Sequence, residues 1–185
     1  MPSSSTSDER TNLRHKFDSL FEDHYLGVSR YCLRRLGPAD SEDAAAEVFA
    51  VAWRRLDQVP PGEDARAWLL AVAYRVVGNH YRSRRRRARL SDRLRTEPHK
   101  AVDPDVPDVE TRLLYRALDS LREGDRELLR LSSWDGLTNA EIAAVTGMKP
   151  NAIDQRLFRA RVRLRERFDH LNKEPLGIKA RDAST

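Results

Sequence analysis

The chain has 185 residues, with 34 Lys and Arg against 29 Asp and Glu for a net charge of +5. That length holds one large domain or two small ones, and the cationic excess favours a polyanionic partner. One cysteine, Cys32, excludes an intrachain disulfide, and with five scattered histidines it leaves no metal site to build; no metal or other cofactor is expected.

Residues 1–11 are polar and Ser-rich and are expected to be unstructured, with no hydrophobic segment of a secretory signal. From Leu13 a helix is predicted, because Phe17, Leu20, Phe21, Tyr25, Val28, Cys32 and Leu36 recur at three and four residues. Gly37-Pro38 ends it. A second helix follows, capped by Asp40 or Ser41, with Ala44, Ala45, Val48, Val51, Ala52 and Leu56 inward and with Phe49 and Trp53 at the margin. The stiff loop Val59-Pro60-Pro61-Gly62 leads to a third helix capped by Asp64, with Trp68, Leu69, Val72 and Val76 inward. This helix continues through Asn79, His80, Tyr81 and Arg82 into a segment, Arg82 to Arg95, that holds eight arginines and a single acid. A solvated helix end would need fewer cations, so contact with nucleic acid is the stronger reading.

The helical pattern lapses over 90–107, where Pro98, Pro104 and Pro107 mark a linker between two helical domains. The domains expected are 12–89 and 108–170, followed by a tail at 171–185. The second domain begins with a helix carrying Val109, Leu113, Leu114, Ala117, Leu118 and Leu121 and another over Glu123 to Trp134. Thr138 and Glu141 then form a capping box, Gly147 is placed to end a short helix, and Pro150 suits the first turn of the next. That last helix has an apolar stripe at Ile153, Leu157, Ala160, Leu164 and Phe168, while its other faces carry Arg156, Arg159, Arg161, Arg163 and Arg165. A short helix, a Gly turn and a basic second helix over 138–157 make a helix-turn-helix, with an ordinary helical hairpin as the bland alternative. The expected fold is all-α: two small helical domains, the second containing the helix-turn-helix. No apolar run reaches the length of a membrane span, so no membrane insertion and a cytoplasmic location are expected.

Three stretches together resemble the extracytoplasmic-function group of bacterial RNA polymerase sigma factors: SEDAAAEVFAVAWRRLDQV, DARAWLLAVAYRVVGNHYRSRRRR and ALDSLREGDRELLRLSSWDGLTNAEIAAVTGMKPNAIDQRLFRARVRLR. The resemblance covers Phe17 to Arg167 and implies a non-enzymatic factor. Such a factor binds core RNA polymerase, acts as a monomer within the holoenzyme, melts promoter DNA and reads it in the major groove. It also implies an anti-sigma partner. Carried onto this chain, core-polymerase binding falls to Asp43, Glu47, Phe49, Trp53 and Arg54. Minus-ten recognition and melting fall to Trp68, Tyr74, Arg75, Asn79, Tyr81, Arg82, Arg84 and Arg85. The loop Val59 to Glu63 is the implied base-capturing loop. Minus-thirty-five recognition falls to Lys149, Asn151, Asp154, Gln155, Arg156 and Arg159, and Phe158 is either core or a thymine-methyl contact. Ala46 stands where the family has glutamine, Ala152 where it commonly has threonine, and Asp154 where it commonly has a cation. A conventional dimeric helix-turn-helix regulator is the alternative. It would not need the acidic second helix or the arginine-ended third.

Overall fold

The computed structural model describes residues 4–90 and 108–173. All regular structure among them is helical: α1 (Ser4–Leu36), α2 (Pro38–Arg54), a single 3-10 turn (Leu56–Gln58), α3 (Asp64–Leu90), α4 (Val109–Asp119), α5 (Glu123–Ser133), α6 (Asn139–Thr146) and α7 (Pro150–Lys173). The chain divides into two compact units, one containing α1, α2 and α3 and the other containing α4, α5 and α7. The all-α, two-unit architecture is the one expected. The linker reading falls outside the described residues except for Leu90, which closes α3, and so does the tail reading from residue 174 onward.

The N-terminus differs from expectation. Helix α1 begins at Ser4, so residues 4–11 are helical rather than unstructured. Residues 10–16 are exposed, which removes packing as the cause. Helix propagation adds one hydrogen bond per residue fixed once a nucleus exists, and the packed part of α1 supplies that nucleus.

In the N-terminal unit α1, α2 and α3 each pack against the other two. Leu20, Val28, Cys32 and Leu36 of α1 face Ala44, Ala45, Val48 and Ala52 of α2 and Leu69, Val72, Ala73 and Val76 of α3, all buried. The alanines bring the backbones close, which is what a three-helix core of this size needs to exclude water. Tyr31, absent from the predicted stripe, is fully buried. Arg35 lies over its ring at 3.5 Å and donates from Nη1 to the Tyr31 carbonyl at 3.3 Å, so a cation covers the aromatic face. Gly37 ends α1 at φ 75°, in the left-handed region, and its N–H donates to the Leu33 carbonyl at 2.9 Å. Pro38 then starts α2. Asp40 and Ser41 therefore lie inside the first turn and do not cap it. Ser41 Oγ donates to the Pro38 carbonyl, and Asp40 is drawn away into an ion pair with Arg84. Asp64 likewise is the first residue of α3.

Burial raises the Cys32 thiol pKa to about 11, against a smaller opposing effect from Arg35. The thiolate is the reactive species. Native protein at pH 8 is therefore expected to leave an aromatic disulfide reagent unreacted over hours, and to react within minutes in denaturant. Stoichiometric labelling of the folded protein would contradict the burial.

In the C-terminal unit α4 and α5 pack on α7. Asp108 caps α4: its carboxylate accepts the Thr111 N–H at 2.7 Å and the Thr111 hydroxyl at 2.9 Å, which hold its pKa below the usual carboxylate range. Leu113, Ala117 and Leu118 of α4, Leu128, Leu129 and Leu131 of α5, and Ile153, Leu157 and Ala160 of α7 are buried. Val109 and Leu114 of the same helix, expected inward with them, are exposed.

Candidate nucleic-acid interface

The helix-turn-helix is assembled by local chemistry. Glu141 Oε2 accepts the Thr138 N–H at 2.7 Å, and Thr138 Oγ1 accepts the Glu141 N–H at 3.3 Å, which completes the predicted capping box at the start of α6. Gly147 follows at φ 74°, a conformation that strains any residue with a Cβ. Pro150 opens α7. Ile153, Leu157 and Ala160 turn one face of α7 into the unit, which leaves Lys149, Asn151, Asp154, Gln155, Phe158 and Arg159 exposed.

Those six are not equivalent. Asp154 accepts a hydrogen bond from the Asn139 side chain on α6, so it joins the two helices of the helix-turn-helix. Arg159 Nε donates to the Gln155 carbonyl at 3.2 Å, which orients the guanidinium along the exposed face. Phe158 is 68% exposed. A phenyl ring left that open on a basic helix forgoes the stabilisation of burial, roughly 25 cal/mol per Å² of apolar area. Of the two roles left open for it, core is excluded.

Arg156 is placed differently from the predicted base-reading set. It is half-buried, and its Nε and Nη2 donate to Asp125 Oδ1 of α5 at 3.2 and 3.1 Å. The other oxygen of Asp125 accepts from Arg163 Nη1 at 2.8 Å. Asp125, in the first turn of α5, is 5% exposed. A buried carboxylate needs paired, hydrogen-bonded partners, and two guanidiniums supply them.

In the N-terminal unit, α3 presents Arg75, Asn79, Arg82 and Arg86 at spacings of four, three and four along one exposed row. Arg82 donates to Asn79 Oδ1 within it. Trp68, Tyr74 and Tyr81 are partly exposed, and Arg85 is exposed. Tyr81 and Arg84 are turned toward α1: the Tyr81 hydroxyl donates to the Arg35 carbonyl, and Arg84 donates to the Leu36 carbonyl and pairs with Asp40. These two hold α3 against the α1–α2 junction. The loop before α3 lines a cavity of about 540 Å³ with Lys16, Leu20 and His24.

On α2, Asp43, Glu47 and Arg54 are exposed along one side, and Trp53 is half exposed beside them. Glu47 Oε2 lies 3.6 Å from His80 Nε2 of α3. Phe49 does not share that surface. It is 4% exposed and sits among Phe17, Phe21 and Tyr25, with ring centroids at 6.4, 4.8 and 6.2 Å. Phe17 in turn meets Trp53 edge-on at 5.1 Å, which braces the exposed indole.

Comparison with known proteins adds the following. Residues 20–87 match the family described as Sigma-70 region 2, and residues 111–164 match Sigma-70 region 4. The chain is similar to the RNA polymerase sigma factor CnrH of Cupriavidus metallidurans, 31% identical over 141 residues, which span 70% of this chain and 74% of that protein. It is also similar to the ECF RNA polymerase sigma factor EcfG of Rhodopseudomonas palustris, 28% identical over 151 residues, 80% of this chain and 83% of that one. Among solved structures, CnrH bound to the cytosolic domain of CnrY aligns with a TM-score of 0.57 at 26% identity, covering 83% of this chain and 88% of that chain. The sigma factor RpoE bound to the anti-sigma factor NepR, from Bartonella quintana, aligns with a TM-score of 0.63 at 22% identity, covering 88% and 97%, and shares the fold.

Proposed function

The chain belongs to the extracytoplasmic-function RNA polymerase sigma factors, and from that premise we infer how its surfaces divide the work. It binds core RNA polymerase and directs promoter-specific transcription initiation. Within that function, Asp43, Glu47, Trp53 and Arg54 form the docking surface for core polymerase, with Trp53 as its anchor and Phe49 as internal support. The exposed row Arg75, Asn79, Arg82 and Arg86, with Trp68, Tyr74 and Arg85 nearby, binds and melts the minus-ten element, and the cavity under the Val59 to Glu63 loop receives an unstacked base. Tyr81 and Arg84 act there by fixing α3.

Lys149, Asn151, Gln155, Phe158 and Arg159 read the minus-thirty-five element. Arginine suits the guanine edge, glutamine or asparagine suits adenine, and Phe158 suits a thymine methyl. Asp154 shapes the reading surface through Asn139. The observation that carries this reading is the pair of region matches, 20–87 and 111–164, in one chain. A dimeric regulator has no use for the first of them. The factor works by binding rather than catalysis and acts in the cytoplasm; among the described residues no helix is long and apolar enough to cross a membrane. An anti-sigma partner that covers the Trp53 surface is part of the proposal, since the relative RpoE is held by one.

The test is reconstitution with core polymerase and run-off transcription from genomic fragments. Holoenzyme formation and discrete initiation sites are expected. Failure to bind core, together with protection of DNA by a free dimer, would refute the assignment.

A further inference from the structure

Arg156 of α7 reaches two other parts of the C-terminal unit at once. Its Nε and Nη2 donate to Asp125 on α5, and its Nη1 donates to Met148 Sδ, 3.6 Å away in the turn between α6 and α7. The residue before Asp125 is Gly124, and a Cβ added there would stand 2.7 Å from Arg156 Nη2. That approach is closer than side-chain carbons tolerate, and the neighbour it would meet is the guanidinium itself. Reading guanine requires a bidentate fork aimed into the groove. Here the Nε/Nη2 edge of the fork is already spent on a buried carboxylate.

We propose that Gly124, Asp125 and Met148 form a cradle for Arg156, and that Arg156 is a positioning residue that sets the recognition helix for base reading without touching a base. The proposal rests on the sigma-factor reading above and deepens its minus-thirty-five half. Three elements converge on one guanidinium: α5 through Asp125 and Gly124, the turn through Met148, and α7 through Arg156 itself. Such a pin fixes the angle at which Gln155, Phe158 and Arg159 meet the groove, and base discrimination is lost when a reading constellation shifts by fractions of an ångström. Charge strengthens the pin, because two donors of one guanidinium converge on the single oxygen Asp125 Oδ1 and charge-assisted bonds are stronger than neutral ones. Arg163 on the second oxygen of Asp125 keeps that carboxylate from turning.

The experiment uses holoenzymes carrying G124A, D125N or R156A. Binding is measured to a minus-thirty-five duplex, to a panel with each base pair of that element substituted singly, and to a non-specific duplex. G124A is the decisive variant. Alanine favours a helix more than glycine, so the local helix is not weakened, while the added methyl obliges the end of the Arg156 side chain to shift from its place against α5. G124A and D125N are expected to lower the specific-to-non-specific ratio about tenfold and to compress discrimination at every base pair of the element, with core binding unchanged. R156A should show the same uniform compression. A base-reading Arg156 would instead erase discrimination at one base pair in R156A and leave it intact in G124A and D125N, which overturns the proposal. Promoter-selective wild type with G124A and D125N equally selective overturns the cradle alone. A wild-type holoenzyme with no promoter preference overturns the reading beneath it as well.

Discussion

Phe49→Ala is expected to destabilise the N-terminal unit by about 4 kcal/mol, the range for removing a buried phenylalanine. Phe49 is the ring that Phe17, Phe21 and Tyr25 share, so its loss opens a cavity between α1 and α2 rather than trimming a surface. Domains of this size are stable by roughly 5–10 kcal/mol, so the loss is a large fraction of the total. Trp53→Ala makes the informative contrast. The indole is 50% exposed, and its truncation should cost under about 1 kcal/mol of stability. As an anchor of the docking surface it should nevertheless weaken holoenzyme formation by about thirtyfold, the effect of a hot spot worth about 2 kcal/mol. Thermal denaturation and titration with core polymerase separate the two. A folded Trp53→Ala protein that binds core normally would remove Trp53 from the docking surface.

Leu157→Ala is expected to cost the C-terminal unit about 3 kcal/mol. Leu157 is 1% exposed and lies between Ile153 and Ala160 on the face of α7 that α4 and α5 cover. A unit this small buries a modest core, so the substitution should leave it largely unfolded at 37 °C. Minus-thirty-five recognition should then disappear while binding to core polymerase through the N-terminal unit persists at reduced affinity. Hydrogen exchange distinguishes the outcomes: protection should collapse across α4–α7 and hold across α1–α3. Loss of protection in both units would mean that they unfold together, and the assignment of separate cores would fall.

Phe49 and Trp53 show where inspection of the chain reached its limit. They are four residues apart on α2, and helical periodicity puts both at the margin of its apolar face. One is buried beneath the α1 aromatics and the other stands half in solvent. Helical periodicity specifies the direction of a side chain. It does not specify how far the neighbouring helix extends over it, and that extent decides burial.

The sequence by itself determined the features of the helix-turn-helix whose partners lie within a few residues, though not the caps of α2 and α3. The Thr138–Glu141 box, the left-handed Gly147 and the opening Pro150 are closed by atoms on the same or the next turn and are found as expected, whereas of the predicted α7 stripe Ile153, Leu157 and Ala160 are buried and Leu164 and Phe168 only partly so. The order of the three family-like stretches carried the functional class in the same way, because it needs no coordinates. Only the tertiary structure decided which charges remain for a partner. Arg84 pairs with Asp40 across 44 residues, Arg156 with Asp125 across 31 and Asp154 with Asn139 across 15. A lone arginine or aspartate in a helix carries no local sign of such a partner, and each of these acids reads equally well as a solvated residue near a helix start. The physical reason is distance along the chain: propensity and capping act through neighbours in sequence, whereas ion pairing acts through space.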